Sequence, residues 1–389
     1  MMADNVEHVV TYWLIFERFH SPALAGFAVV SHWAPFLLFG ITFGALADRF
    51  DCRRIIQAGQ CLFIVASFTW ATLFITNTLE AWHAVILLIV HGMAGALWSP
   101  AAQLYLYDIV GREELPSGVR LEATARQIGI LFGPAVGGGL LVVLGPGYGL
   151  FANCLLYLPL IIWLFITPYT GHMHRGGPAA SANALTLADA LHTLSDLRRQ
   201  PVILAMVVLA GASSFLVGNA FAAQMPSFAA DLAGGSELGY SALLTANGLG
   251  AVVAGFSLEW SSQLRRPGVS VAITLAIAWA LALAVFAITS SFALAVVALF
   301  AAGFLQLGYS SLAQTIVQLE APPERRGRVV GLFSMASSGL RVGSGVTIGV
   351  LGSLVGIHAS LWWSALAAAA ICVALLVLAR TRASLAPAR

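Results

Sequence analysis

The residues of this sequence that could do chemistry are the few ionisable side chains inside or beside its long apolar stretches. A charge in a hydrocarbon environment costs free energy, so each such side chain is a candidate functional group. His32 and His91 lie well inside apolar runs, and a histidine titrates near neutral pH and could carry a proton. Hydrogen-bonded packing is the alternative role for both. Asp4 and Glu7, one helical turn apart near the start of the chain, could take up protons or remain solvated charges at the chain end.

An arginine and one acid–base pair form a second group of candidates. Arg341 lies deep in a predicted helix, where its guanidinium could bind a carboxylate or another anion, or form a fixed ion pair with a neighbouring helix. Glu122 and Arg126 are four residues apart with the acid first, the favourable order for a pair on one helix face. This pair could be structural or gating, or it could take part in coupling to protons.

The elements that must position these residues are membrane-spanning helices. Of the 389 residues, 59% are hydrophobic and 9% are charged, whereas about a quarter of the residues in a soluble protein are charged. A helix crosses a bilayer with roughly 20 apolar residues, so the uncharged runs hold about a dozen such helices. We expect helices at 4–19, 22–47, 54–76, 81–107, 117–143, 148–168, 200–225, 238–262, 268–289, 292–318, 328–355 and 358–380, with turns at 144–149, 289–291 and 355–358.

The distribution of basic residues predicts the orientation. Every basic residue other than histidine is arginine, and most of these arginines fall in alternate predicted loops or in the C-terminal tail. Loops rich in arginine stay in the cytoplasm, so we expect a multi-pass protein of the cell (inner) membrane with a cytoplasmic C-terminus. The membrane topology accounts for these arginines, so nucleic-acid binding is not needed to explain them. The four cysteines do not form a disulfide framework.

One short loop carries a specific motif. Residues 44–54 read Gly-Ala-Leu-Ala-Asp-Arg-Phe-Asp-Cys-Arg-Arg and join two predicted membrane helices. This pattern resembles the loop between helices two and three of the major facilitator superfamily of transporters, with the family's residues at Gly44, Asp48, Arg49, Arg53 and Arg54. The resemblance implies that the Asp contacts the start of helix eleven, near Gly327, and closes the cytoplasmic side. The alternative is a solvated loop whose charges only set topology.

A glycine-rich stretch in the predicted fifth helix indicates a branch of that family. It resembles a motif common in the exporters of the superfamily, with matches at Gly129, Gly133, Pro134, Gly137 and Gly138. Small residues four apart let two helices pack closely, so plain packing is the alternative reading. Residues 112–139 and 320–328 resemble the branch of siderophore exporters and secretion transporters. The arginine-rich motif that many drug–proton antiporters carry in helix four is absent, and Val90-His91-Gly92-Met93 stands there.

The resemblance implies an all-α membrane protein of two pseudo-symmetric six-helix bundles. Weak repeats at shifts of 210 and 211 residues agree with this, and they place Glu259 opposite Asp48 as a second, weaker gating residue. We expect an N-terminal bundle at 1–168, a cytoplasmic linker with an amphipathic surface helix at 169–200, and a C-terminal bundle at 201–389. Compared with the family, the first helix is either truncated or genuinely short.

The sequence therefore predicts a secondary active transporter rather than an enzyme. We expect export of small amphipathic molecules by alternating access, coupled to protons, with Asn219, Gln306 and Tyr309 as polar residues of the cavity if the family geometry holds. The alternatives are an importer or uniporter of a small organic anion, and a non-transporting sensor or membrane enzyme. We expect a monomer in the lipid bilayer, with a small-molecule substrate and protons as partners, and no cofactor, metal cluster or nucleic acid.

Overall fold

The computed structural model describes residues 2–19, 22–173, 200–218, 221, 224–233, 237–260 and 268–385, and within these ranges it is helical with no β-strand. The helices are α1 (Met2–Phe19), α2 (Pro22–Arg49), α3 (Cys52–Ile75), α4 (Ala81–Ile166), α5 (Pro201–Leu216), α6 (Met225–Ala233), α7 (Glu237–Trp260), α8 (Val269–Ile288), α9 (Phe292–Glu320), α10 (Arg326–Ser334), α11 (Arg341–Ser344), α12 (Leu351–Val355) and α13 (Ile357–Leu385). A 3₁₀ turn at Pro323–Arg325 precedes α10, and π-helical segments at Met335–Gly339 and Gly345–Val350 flank α11. The predicted amphipathic helix at 185–200 lies almost wholly outside the described residues.

Glycines break the longest helix at two places. At 1.5 Å per residue, the 86 residues of α4 would extend about 130 Å, several times the thickness of a bilayer. Gly111 and Gly145 have φ values of 71° and 74°, a backbone conformation that glycine adopts without a Cβ clash. They divide α4 into three stretches, each long enough to cross a bilayer. The predicted turn at 144–149 and the predicted loop between 107 and 117 are each helical except at one glycine, Gly145 and Gly111 respectively.

Two further predicted turns are present in the structure, and one predicted helix end is not. The helices end and restart around residues 289–291 and at Gly356, which has a φ of 88°, so both turns are confirmed. The predicted helix 200–225 is wrong at its C-terminal end, because α5 stops at Leu216. Gly218 follows with a φ of 47°, which ends the helical path.

Length and hydropathy identify seven helices among the described residues that could cross a membrane. Two further apolar helices, Pro201–Leu216 and Ala242–Ser257, are shorter. Large apolar side chains also cover outer faces of these helices; Val142, for example, is 84% exposed. Water disfavours such surfaces and lipid accepts them, so the protein is a multi-pass membrane protein.

The chain forms two compact units. The first comprises residues 1–111, 125–190 and 322–335, and the second comprises residues 112–124, 191–321 and 336–389. Each unit therefore includes a short segment from the half of the sequence that mainly builds the other. The predicted division at 168 and 200 stays a prediction.

Close helix packing holds each unit together. In the first unit, Trp70 packs with Val10, Leu87 and Leu150 in a buried apolar cluster. In the second unit, a Cβ atom added at Gly250 of α7 would collide with a backbone carbonyl of α9, and one added at Gly303 of α9 would collide with a backbone carbonyl of α7. Small residues at such crossings let the two backbones touch, which is how helices associate without a hydrophobic driving force in lipid.

Candidate functional site

The first unit buries a cluster of acidic and histidine side chains from several helices. Asp4, Glu7 and His8 lie three and four residues apart on α1, so they share one face of that helix. His91 of α4 lies against this face. Glu7 is 1% exposed and His91 is 5% exposed. Groups buried this deeply must find their hydrogen-bond partners inside the protein.

His91 bridges the two carboxylates of α1. Its Nδ1 lies 2.8 Å from Oε1 of Glu7, and its Nε2 lies 2.9 Å from Oδ1 of Asp4. An ionised carboxylate only accepts hydrogen bonds, so each contact needs one proton, carried by the ring nitrogen or by the carboxyl oxygen. Two protons therefore satisfy both contacts and leave the three groups with a net charge of −1, and a third proton makes them neutral.

The second carboxylate oxygen of Glu7 is also held by donors. Tyr157 donates its hydroxyl to Oε2 at 3.0 Å, and Ser67 donates a short hydrogen bond to the same oxygen. Asn153 in turn donates to the Ser67 hydroxyl at 3.4 Å. Both oxygens of Glu7 therefore have partners, which explains how an acid is tolerated at this depth.

Two more histidines extend the cluster towards its half-buried side. Nε2 of His8 lies 3.3 Å from Nδ1 of His32, which comes from α2. Nδ1 of His8 lies 3.9 Å from Oδ1 of Asp4, and the His8 and His91 rings are 4.8 Å apart. The titratable groups thus form a continuous chain from His32 through His8, Asp4 and His91 to Glu7.

Glycines let the helices that carry this cluster approach one another. A Cβ atom added at Gly92, next to His91, would collide with the backbone of Ser31, next to His32. One added at Gly133 would lie 2.5 Å from Cβ of Asn5, between the two acids of α1. The backbones of α1, α2 and α4 therefore meet where the ionisable side chains converge.

The glycine-rich motif packs closely against α1 at one of its glycines. Gly133 makes the close contact with α1, and Gly129 and Gly137 are buried. A Cβ atom added at Gly138 would meet no described atom within 4 Å, and the packing role of Gly138 stays a prediction. Pro134 lies in α4, but the structure does not describe its side chain.

Asp48 at the end of α2 caps the start of α10. Its carboxylate accepts hydrogen bonds from the backbone N–H groups of Gly327 at 2.6 Å and Arg328 at 3.0 Å, and the side chain is 1% exposed. A carboxylate at a helix N-terminus satisfies unpaired N–H groups and complements the helix dipole. A Cβ atom added at Gly44 would collide with the backbone of Gly327, so α2 and α10 are in backbone contact. The contact predicted for Asp48 is present, and its gating role stays a prediction.

The other charged residues of this bend have separate partners. Asp51 caps the N-terminus of α3 and pairs with Arg53 at 2.6 Å, and Arg53 also donates to the carbonyl of Thr167 at 2.8 Å. Partial burial raises the pKa of Asp51, but the hydrogen bonds from Arg53 outweigh this effect and hold that pKa below its usual value. Arg54 donates to the side chain of Gln57, and Arg49 is half-buried. Arg53 therefore ties the start of α3 to the end of α4.

The remaining predicted residues lie elsewhere or outside the description. In the second unit, Arg341 is half-buried between the two π-helical segments and donates from Nε to the carbonyl of Ser337 at 3.1 Å. Tyr309 is buried against Trp279, and Gln306 is half-buried.

Glu122 and Arg126 are half-buried on α4. Asn219 is not among the described residues, and the side chain of Glu259 in α7 is not described. The roles of all these residues stay predictions.

Sequence reasoning missed three partners of the cluster, namely His8, Ser67 and Tyr157. His8 could have been found, because it lies four residues after Asp4 and shares its helix face. Ser67 and Tyr157 carry no such signal, because each is one hydroxyl among many in apolar helices. From the sequence we expect no metal cluster, whereas the structure brings His8, His32 and His91 together from three helices.

Comparisons with known proteins agree on one family. The family model described as Major Facilitator Superfamily matches residues 8–345. An uncharacterized MFS-type transporter of Bacillus subtilis (strain 168), YfiS, is 24% identical over 192 residues, which are 49% of this chain and 44% of the relative. The putative multidrug resistance protein MdtD of Pectobacterium atrosepticum is 30% identical over 138 residues, 34% of this chain and 28% of the relative. The alignments thus cover less than half the length of these curated relatives.

Solved structures share the fold at low sequence identity. The fucose:proton symporter of E. coli is 14% identical, with a TM-score of 0.74 and 97% of this chain and 96% of that chain covered. The human organic anion transporter TETRAN is 15% identical, with a TM-score of 0.75 and 96% of each chain covered. At this level of identity the likeness establishes the all-α two-domain fold.

Proposed function

Because the chain belongs to the major facilitator superfamily, we propose that it is a secondary active transporter that exports small amphipathic molecules in exchange for protons. The transporter class follows from the family and the fold. The direction and the substrate class are supported by the relatives named as putative multidrug resistance proteins and by the exporter-type motif at residues 129–138.

The observation that supports proton coupling is the bridge that His91 makes between Glu7 and Asp4. Polar residues that can change protonation inside a membrane protein are candidates for proton relays. This cluster changes from a charge of −1 to neutral when it takes up one proton beyond the two that its hydrogen bonds need. A neutral cluster costs less to expose to an apolar environment, so protonation can favour one conformation over another.

The transport cycle in this proposal is alternating access about a mid-membrane site. A proton taken up from outside neutralises the cluster after substrate leaves, and its release to the cytoplasm restores the charge before the next substrate binds. The capping bond of Asp48 to α10 stabilises the state in which these helices are in contact. Breaking the bond is then part of each cycle.

The proposal includes the location and orientation of the protein. The arginine-rich loops and the arginine-rich C-terminal tail favour a protein of the cell (inner) membrane whose C-terminus is cytoplasmic. In that orientation a proton gradient directed into the cell drives substrate out.

Transport assays in reconstituted vesicles test the coupling directly. Proteoliposomes are loaded with a fluorescent amphipathic cation, and its movement is followed with an imposed pH gradient, with an imposed potential, and with neither. We expect transport that depends on the pH gradient and falls to the rate of protein-free vesicles when a proton ionophore collapses it. Transport that continues unchanged after both the pH gradient and the potential are removed contradicts proton coupling.

An importer or uniporter of a small organic anion is the second candidate. It is favoured by Arg341, whose guanidinium is half-buried in a helix that two π-helical segments interrupt. Such interruptions of α-helical geometry are frequent at functional sites. Counterflow of a labelled anion that is independent of pH and lost in Arg341→Ala favours this candidate over the exporter.

A further inference from the structure

We propose that His8, His32 and His91 form a binding site for a divalent transition-metal ion such as Zn²⁺, with the carboxylate of Asp4 beside them. One candidate ligand nitrogen from each of the three histidines lies within 4.8 Å of the other two. Oδ1 of Asp4 lies 2.9 Å from Nε2 of His91 and 3.9 Å from Nδ1 of His8. The proposal concerns binding alone and does not depend on export or on proton coupling.

The spacing of the ligand atoms is close to that of a tetrahedral metal site. Zn²⁺ binds histidine nitrogen and carboxylate oxygen at about 2.0–2.1 Å, so two ligands of a tetrahedral site are about 3.4 Å apart. Nε2 of His8 and Nδ1 of His32 are already 3.3 Å apart, and a metal bound through Nε2 of His8 leaves Nδ1 of that ring facing Oδ1 of Asp4 at 3.9 Å. The widest pair of histidine nitrogens, at up to 4.8 Å, has to close by about 1.4 Å to reach the tetrahedral spacing. Rotation of side chains on α1 and α2 can supply that movement, because His8 and His32 are half-buried rather than tightly enclosed.

The identity of the ligands selects the class of metal. Imidazole nitrogen suits Zn²⁺, Cu²⁺, Ni²⁺ and Fe²⁺, whereas Mg²⁺ and Ca²⁺ need mostly oxygen ligands. Three imidazoles with an open fourth position make a set typical of zinc rather than of the hard cations. The negative charge of Asp4 also offsets part of the charge that the metal brings into the membrane.

Glu7 supplies the outer support that a metal-binding histidine requires. A histidine that binds a metal with one ring nitrogen usually donates its other N–H to a carboxylate or a carbonyl, which orients the ring. Nδ1 of His91 faces Oε1 of Glu7 at 2.8 Å, which leaves Nε2 directed at Asp4 and towards the other histidines. Glu7 is itself held by Tyr157 and Ser67.

Metal titration of the full-length, tag-free protein in detergent tests the proposal. Co²⁺ is the spectroscopic probe, because Co²⁺ in a tetrahedral site absorbs visible light much more strongly than aqueous Co²⁺ does. We expect these bands to saturate at one Co²⁺ per chain and to disappear when Zn²⁺ is added. An excess of Mg²⁺ should leave them unchanged.

Three variants and one matched control locate the site. His8→Ala, His32→Ala and Asp4→Asn should each weaken Zn²⁺ binding by at least about 10–100-fold, the range seen when even the outer partners of metal ligands are removed. Asp4→Asn keeps a hydrogen-bonding group beside His91, so we expect this variant to fold. A loss of Zn²⁺ binding in it then reports on the site and not on misfolding. His83→Ala, a histidine of the same helix as His91 outside the cluster, should bind as the unaltered protein does. Thermal melting without metal checks that each variant is folded.

The proposal is overturned if the unaltered protein shows no tetrahedral Co²⁺ spectrum. It is also overturned if folded His8→Ala or His32→Ala binds Zn²⁺ as tightly as the unaltered protein. Neither result bears on export, which the vesicle assay measures separately.

Discussion

At the scale of single residues, the hydrogen bonds of Glu7 and His91 leave little freedom to either side chain. Each carboxylate oxygen of Glu7 has a partner, and each ring nitrogen of His91 faces a carboxylate. A buried polar group left without a partner costs about 1–3 kcal/mol, so the cluster is stable only as a whole. The same constraint makes its proton content sensitive to any movement of α1 against α4.

Replacing Glu7 separates its structural role from its proposed role in coupling. Glu7→Gln keeps an oxygen that can accept from Tyr157 and an amide N–H for His91, so we expect folding to be retained and transport driven by the pH gradient to be lost. Glu7→Ala removes the partner of three side chains, His91, Tyr157 and Ser67, and we expect it to lower the free energy of unfolding by about 1–3 kcal/mol for each buried group left unpaired. Vesicle transport and thermal melting in detergent measure the two effects. Full gradient-driven transport by Glu7→Gln would remove this residue from the coupling mechanism.

At the scale of helices, the contact of α2 with α10 joins packing to electrostatics. Gly44 permits the two backbones to touch, and this proximity brings Asp48 to the N–H groups that begin α10. An aspartate in this position satisfies donors that the helix cannot satisfy itself. The bond is therefore specific for the geometry in which the helices are in contact, as a gate requires.

Two glycine-to-alanine variants test this contact. In Gly44→Ala the new Cβ collides with a backbone carbonyl, and because the backbone has to shift we expect a loss of about 1–3 kcal/mol. In Gly138→Ala, also within a helix, the new Cβ meets no described neighbour, and we expect no loss or a gain of up to about 1 kcal/mol from helix propensity. Melting temperatures of the two variants in the same detergent compare them. Equal melting temperatures would show that the contact between α2 and α10 contributes nothing to stability.

At the scale of the whole molecule, lipid and charge decide how the chain is arranged. Apolar side chains cover outer faces of its helices, and arginines are concentrated in alternate connections. A segment that carries arginine crosses a membrane with difficulty during insertion, so we expect these connections to remain in the cytoplasm. Orientation is thus a property of the complete pattern and of no single residue.

Reporter fusions measure the orientation. A fluorescent protein that folds only in the cytoplasm should be bright when it is attached to the C-terminus, and alkaline phosphatase, which is active only outside the cytoplasm, should be inactive there. The opposite pattern is expected for fusions made at Asn77, in the arginine-poor connection between α3 and α4. Phosphatase activity at the C-terminus would reverse the proposed orientation.

The sequence by itself determined the class of the protein, most of its helices and the residues of the bend at Asp48. These follow from hydrophobicity, charge and a short motif, which are properties of neighbouring residues along the chain. Asp4, Glu7, His32 and His91 could also be singled out one at a time, because an ionisable residue among apolar ones is conspicuous.

Only the tertiary structure decided which of these residues meet. His91 contacts residues 84 and 87 positions away, and Ser67 and Tyr157 join the cluster without a signal strong enough to predict them. A soluble helix shows its buried face by its polar opposite face, whereas a membrane helix is apolar on nearly every side. Its rotation, and hence the partners of its rare polar groups, is set by close contacts such as Gly92 with Ser31 and Gly133 with Asn5, which exist only once the helices are packed.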